Sequence, residues 1–145
     1  MPPVSPVAGI AHVIQLAVAP VFLLSGIGAM LAVMTQRLAR VIDRARTLET
    51  RVHATPADEK AVHEQLVTLS RRAKMVGSAI TLCTTTALLI CAVIATLFLG
   101  ASMGFDATTP VVVLFVVAML TFFLGLLIFL REILLATANL RIGPK

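Results

Sequence analysis

Three stretches of this chain, residues 13 to 36, 75 to 105 and 107 to 130, contain no Asp, Glu, Lys or Arg. About 20 apolar residues of helix cross a hydrocarbon layer about 30 Å thick, so each stretch is long enough to span a membrane. A backbone in lipid must satisfy its own hydrogen bonds, which selects helix over irregular chain. The expected fold class is therefore all-α, with three transmembrane helices at about residues 13–36, 75–99 and 110–130. The basic residues give those spans a direction. Nine of the 12 Lys and Arg lie between the first and second spans and the other three follow the third span, whereas the N-terminus and the second connection have none. By the positive-inside rule the N-terminus faces out, and the first connection and the C-terminus face the cytoplasm.

Composition narrows the class further. A chain of 145 residues with 59% hydrophobic and 13% charged residues has no room for a soluble domain beside three spans, so one integral membrane domain is expected over 1–145. The net charge of +5 would suit nucleic acid in a soluble protein. Here the surplus, nine basic against five acidic residues in the first connection, would lie at the membrane surface, where anionic lipid headgroups are the natural partners. Trp and Tyr are absent, so basic residues must set the depth of the spans. Cys83 and Cys91 are eight residues apart on one expected helix, about 12 Å along its axis, too far to bridge. They read as small buried residues, and no metal or cofactor site is expected.

The apolar period continues past the first span. Leu38, Val41, Ala45, Leu48 and Val52 alternate spacings of three and four, as do Val62, Leu66, Leu69, Ala73 and Val76. Both read as coiled-coil seams, predicting a cytoplasmic helical hairpin over about 37–74. Thr55 and Pro56 suit the start of its second arm, and Ser5 and Pro6 the start of the first helix. Pro20, inside the first span, frees the carbonyl of Leu16 and predicts a kink. The second span is expected to stop near Gly100, the third to run from Thr109-Pro110 to about Leu130, and the tail to end its helix at Gly143-Pro144.

Four groups of residues stand out as candidates. Ser25, Gly28, Ala29 and Ala32 place small side chains four apart, which lets a second helix come close. Gly77, Ser78, Thr81, Thr84, Thr85 and Thr96 make one side of the second span small and hydroxyl-rich. Such a side is either packing surface, its hydroxyls bonded to their own helix, or the lining of a water-filled path at a subunit axis. Arg37, Arg40, Arg44 and Arg51 share one face of the hairpin's first arm and suit headgroups or, as a ring, anions at a vestibule. Glu132, at the inner end of the third span, calls for a cation, either Arg131 or a hairpin arginine. Gln15 is expected to bond across helices. The membrane stretches hold no carboxylate or histidine that could converge with a nucleophile, so the chain does not read as an enzyme.

The run Gln15 to Gly28 (QLAVAPVFLLSGIG), then Arg37 to Arg46 (RLARVIDRAR), then Phe129 to Ile133 with Leu140 to Gly143, resembles a bacterial family of small integral membrane proteins of unknown function. The likeness covers nearly the whole chain and implies a bacterial inner membrane, but brings no activity or site residue with it. Two functions fit the residues. One is a homo-oligomeric conduit for ions or small solutes, lined by the hydroxyl side of the second span. The other is a non-conducting scaffold or regulatory subunit that docks a cytoplasmic protein through its hairpin.

Overall fold

In the computed structural model, residues 6–52 and 59–138 are described, and they form three helices: α1 (Pro6–Val52), α2 (Glu59–Met103) and α3 (Thr108–Ala138). Each contains a window long and apolar enough to cross a membrane, with mean hydropathy 2.3, 2.4 and 3.1 in chain order. At 1.5 Å per residue, the 47 residues of α1 extend about 70 Å, more than twice the thickness of a hydrocarbon core. The excess is the charged arm that follows the first apolar stretch, and α2 begins with its counterpart. α1 passes through Pro20 as one helix. The caps expected at Ser5 and Thr55, and the stop at Gly143-Pro144, lie outside the described residues.

Burial recurs every seven residues on all three helices, the interval at which an α-helix returns to nearly the same face. On α1 the buried positions include Pro20, Ile27 and Met34. On α2 two such rows run side by side, Leu69, Val76, Cys83 and Ile90 in one and Ala79, Thr86, Val93 and Gly100 in the other. α3 contributes Ala118, Gly125 and Glu132.

The chain divides into two compact units. In the first, Met1–Met30 with Cys83–Phe123, the core is Ala17, Ile27, Cys83, Thr86, Ile90, Val93 and Ala118. At the tight turn of this unit, α2 as a helix runs past Gly100 to Met103. Gly104 takes φ +70°, the left-handed conformation that closes helices, and its N–H donates to the Gly100 carbonyl at 2.9 Å. Gly100 serves a different need, because a Cβ there would lie 2.5 Å from the Cβ of Ala107. α3 then starts with the Thr108 N–H donating to Asp106 Oδ1 at 3.0 Å. Asp106 is held below the usual carboxylate range, chiefly by that backbone hydrogen bond and then by one from the Thr108 side chain.

The second unit, Leu31–Leu82 with Leu124–Lys145, contains the hairpin. Between residues 38 and 50 of α1 the positions that are not exposed are Leu38, Val41, Ala45 and Leu48, the predicted seam. Opposite them on α2 Leu69 and Val76 are buried, and Val62, Leu66 and Ala73 half-buried. The side chain of Val52 lies outside the described residues.

Candidate functional site

Where the charged arms of α1 and α2 give way to their apolar stretches, one side chain from each helix meets in an ionic cluster. Glu132 of α3 occupies the buried row that begins with Ala118 and Gly125, and only 2% of its side chain is accessible. Arg72 of α2 stands seven residues before Ala79, at the end of a buried row, and its Nη2 donates to Glu132 Oε1 at 3.0 Å. Arg37 of α1 places Nη1 3.6 Å from Glu132 Oε2 and lays its guanidinium over the Phe129 ring, 5.5 Å from the centroid. The periodicity that buries an alanine or glycine further along α3 thus buries a carboxylate here. Two arginines neutralise it, which is what burial of a charge requires. Arg72 Nε and Glu132 Oε2 are buried without a hydrogen-bond partner.

This cluster settles the choice read from the sequence: Glu132 takes a hairpin arginine, Arg37, together with Arg72, while Arg131 is exposed. Arg37 is therefore separated from its stripe. Arg40 and Arg44 remain exposed, and the side chain of Arg51 lies outside the described residues.

The hydroxyl side of α2 faces outward within the chain. In the second unit Ser78 and Thr81 are exposed and donate to the carbonyls of Lys74 and Gly77, both at 3.0 Å. In the first unit Thr84 and Thr85 are exposed, and half-buried Thr96 donates to Ala92 at 2.8 Å. Gly77 has open space where a Cβ would stand. Ser25, Gly28, Ala29 and Ala32 on α1 are all exposed, so none of them serves packing within the chain. Gln15 is exposed too, and its side chain makes no hydrogen bond to another described residue. Sequence reasoning missed Thr86, a fully buried polar residue; its place seven after Ala79 and seven before Val93 was the available signal.

Cavities lined by described residues border the charged region, and two of them bear on the site. The larger, about 690 Å³, is a groove between the hairpin arms, with Val41, Ala45, Leu66 and Leu69 among its apolar lining and Arg46, Arg71, Lys74 and Glu49 among its charges. The smaller, about 200 Å³, lies between α2 and α3. Among the described residues no three His, Cys, Asp or Glu side chains converge as metal ligands would.

No curated protein and no solved structure matches the chain. A family described as "Protein of unknown function (DUF2721)" matches residues 17–142, and the chain belongs to that family.

Proposed function

We propose that the chain is a self-associating membrane scaffold whose hairpin docks an acidic amphipathic helix of a cytoplasmic protein partner. The groove between the hairpin arms carries this reading. Its apolar lining offers the contact that an amphipathic helix seeks, and Arg46, Arg71 and Lys74 outnumber Glu49 around it. A second copy of the hairpin would bring the same basic surplus and be repelled, whereas an acidic helix is attracted. Self-association rests on the outward faces. Only 17%, 22% and 11% of the most apolar windows of the three helices are buried within the chain. The exposed face of α3, from Val112 through Val116, Leu120, Phe123 and Leu127, suits lipid. The exposed small and hydroxyl face of α2 suits another helix. The basic surplus supports a cytoplasmic hairpin and C-terminus with the N-terminus outside, and the family resemblance supports a bacterial inner membrane.

Full-length protein in nanodiscs, titrated with a synthetic acidic amphipathic helix and with its charge-reversed counterpart, tests the docking. The acidic peptide should bind, and Arg46→Glu should weaken it by about tenfold. Equal binding of the two peptides, or none, rejects the proposal. A second reading, the conduit, draws on the exposed Thr84 and Thr85. Solute flux through reconstituted liposomes that falls with Thr85→Leu would favour it, and its absence for cations, anions and small neutral solutes would leave the scaffold.

A further inference from the structure

The smaller cavity is lined by Thr68, Arg71, Arg72 and Met75 of α2 and by Arg131 and Leu135 of α3. Three of these six residues are arginines. Glu132 is the one carboxylate that pairs with a cation among the described residues, and Arg37 and Arg72 already engage it. Arg71 and Arg131 therefore carry uncompensated charge around the cavity, and Arg72 keeps a buried Nε–H without an acceptor. Met75 opens the apolar stretch of α2 and Arg131 closes that of α3, which sets the cavity at headgroup depth. Leu135, 45% exposed, continues the apolar surface beside it.

We infer that this cavity is a binding site for a phosphate group, suited to the headgroup of an anionic phospholipid. Guanidinium groups offer forked N–H donors that match phosphate oxygens, and basic pockets between membrane helices are where such headgroups lodge. A volume of about 200 Å³ exceeds the ~30 Å³ share of one water several-fold, enough for a phosphate but not for a folded segment of protein. The Thr68 hydroxyl donates to the Glu64 carbonyl at 3.0 Å, so the arginines supply the donors. Met75 and Leu135 supply an apolar flank for acyl chains. This site is independent of the docking groove, although Arg71 borders both.

Full-length protein, delipidated in detergent and titrated with phosphatidylglycerol or phosphatidylcholine, is read by native mass spectrometry. Phosphatidylglycerol should bind more tightly. The double variant Arg71→Gln, Arg131→Gln should lose about tenfold or more of that affinity. Arg40→Gln with Arg44→Gln removes the same charge from the exposed stripe that also suits headgroups, and it should change the affinity by less than about twofold because exposed, unenclosed guanidiniums hold an anion weakly. Arg71→Lys with Arg131→Lys should recover part of the loss, since charge returns without the fork. Inorganic phosphate that displaces the lipid from the wild type, and not from the glutamine variant, supports a site open to free phosphate. Failure to displace it supports the lipid as the source. An equal loss in the two glutamine variants, or no loss in the first, overturns the site. Unchanged acidic-peptide binding by Arg131→Gln separates this outcome from failure at the groove.

Discussion

The ionic cluster makes an ordered prediction, because its three members differ in their access to water. Unit charges about 3–4 Å apart attract by roughly 4–6 kcal/mol at an effective dielectric of about 20, and most of that offsets desolvation. Removing one partner is costly when the charge left behind cannot reach solvent. Glu132 is 2% accessible, whereas the side chains of Arg72 and Arg37 are 25% and 37% accessible. Arg72→Gln takes away the 3.0 Å donor and leaves the carboxylate with Arg37 at 3.6 Å, so it should cost about 3–5 kcal/mol. Glu132→Gln keeps the shape and an acceptor, and its arginines can bend toward water, so about 1.5–3 kcal/mol is expected from the lost charge-assisted bond. Arg37→Gln should cost below about 1 kcal/mol, the range of a partly exposed pair. The assay is thermal reaction of a thiol dye with Ala79→Cys, a fully buried site in the same unit, after Cys83→Ala and Cys91→Ser remove the native thiols. An Arg37→Gln shift as large as that of Arg72→Gln would refute the reasoning, since differential access to water would then not govern the cluster.

Three further outcomes follow from the glycines and the turn. Gly100→Ala should shift or break the α2–α3 turn, because its Cβ would meet that of Ala107 at 2.5 Å; a cost of about 1–3 kcal/mol is expected, read as a lower thermal midpoint. Gly77→Leu meets open space within the chain, so it should leave monomer stability within about 0.5 kcal/mol while lowering the oligomer fraction measured by mass in detergent and in nanodiscs; an unchanged oligomer, or a monomer before and after, removes α2 as the contact. The lowered pKa of Asp106 means that its cap on α3 is fully present above the ordinary carboxylate value and is lost as pH falls through the folded value; carboxyl-carbon NMR titration of Asp106 should show that depression, and Thr108→Pro, which removes the N–H donor, should raise the value.

Much of the fold was legible because period and charge report on different things. The charge-free stretches mark what lipid can accept, and the seams of Leu38 to Leu48 and Val62 to Val76 mark what two helices can bury from each other. Both signals are local. Where Glu132 finds its partner is not local: Arg131 is adjacent in sequence but points about 100° away around the helix, whereas Arg72 is 60 residues distant and arrives through the packing of α2 on α3. Counting sevens back from Gly100 through Ala79 reaches Arg72, so its place at the end of that row could have been read, but its pairing depends on the register between two helices. Gly100 illustrates a different limit. A helix stop and a close approach both require glycine, and only the conformation, with φ +70° at Gly104, distinguishes which residue does which. For the hydroxyl side of α2 the sequence marks an exposed face but not what covers it, and Gly77 has open space where a Cβ would stand.

Register is also where the cluster acts beyond its energy. The rows behind it, Ala118 and Gly125 on α3 and Ala79, Thr86 and Val93 on α2, repeat at seven residues with small or similar side chains, so a slip of one heptad would cost little apolar contact. The same slip moves Glu132 by about 10 Å and leaves its carboxylate beside Ala79 or beyond Arg72, without its two arginines. A buried polar group at one seam position is a known way to fix register, even where apolar replacements would be as stable. Replacing all three charges, Arg37→Leu, Arg72→Leu and Glu132→Leu, should therefore leave thermal stability equal or higher by about 1–4 kcal/mol while broadening the helix register. Distances between spin labels at Thr68→Cys and Leu135→Cys, with the native cysteines removed, would show one narrow population in the wild type and two or more in the leucine variant. A single narrow distance in both proteins would mean that the apolar rows and the short turn between Met103 and Thr108 hold the register and that the ions contribute only their energy.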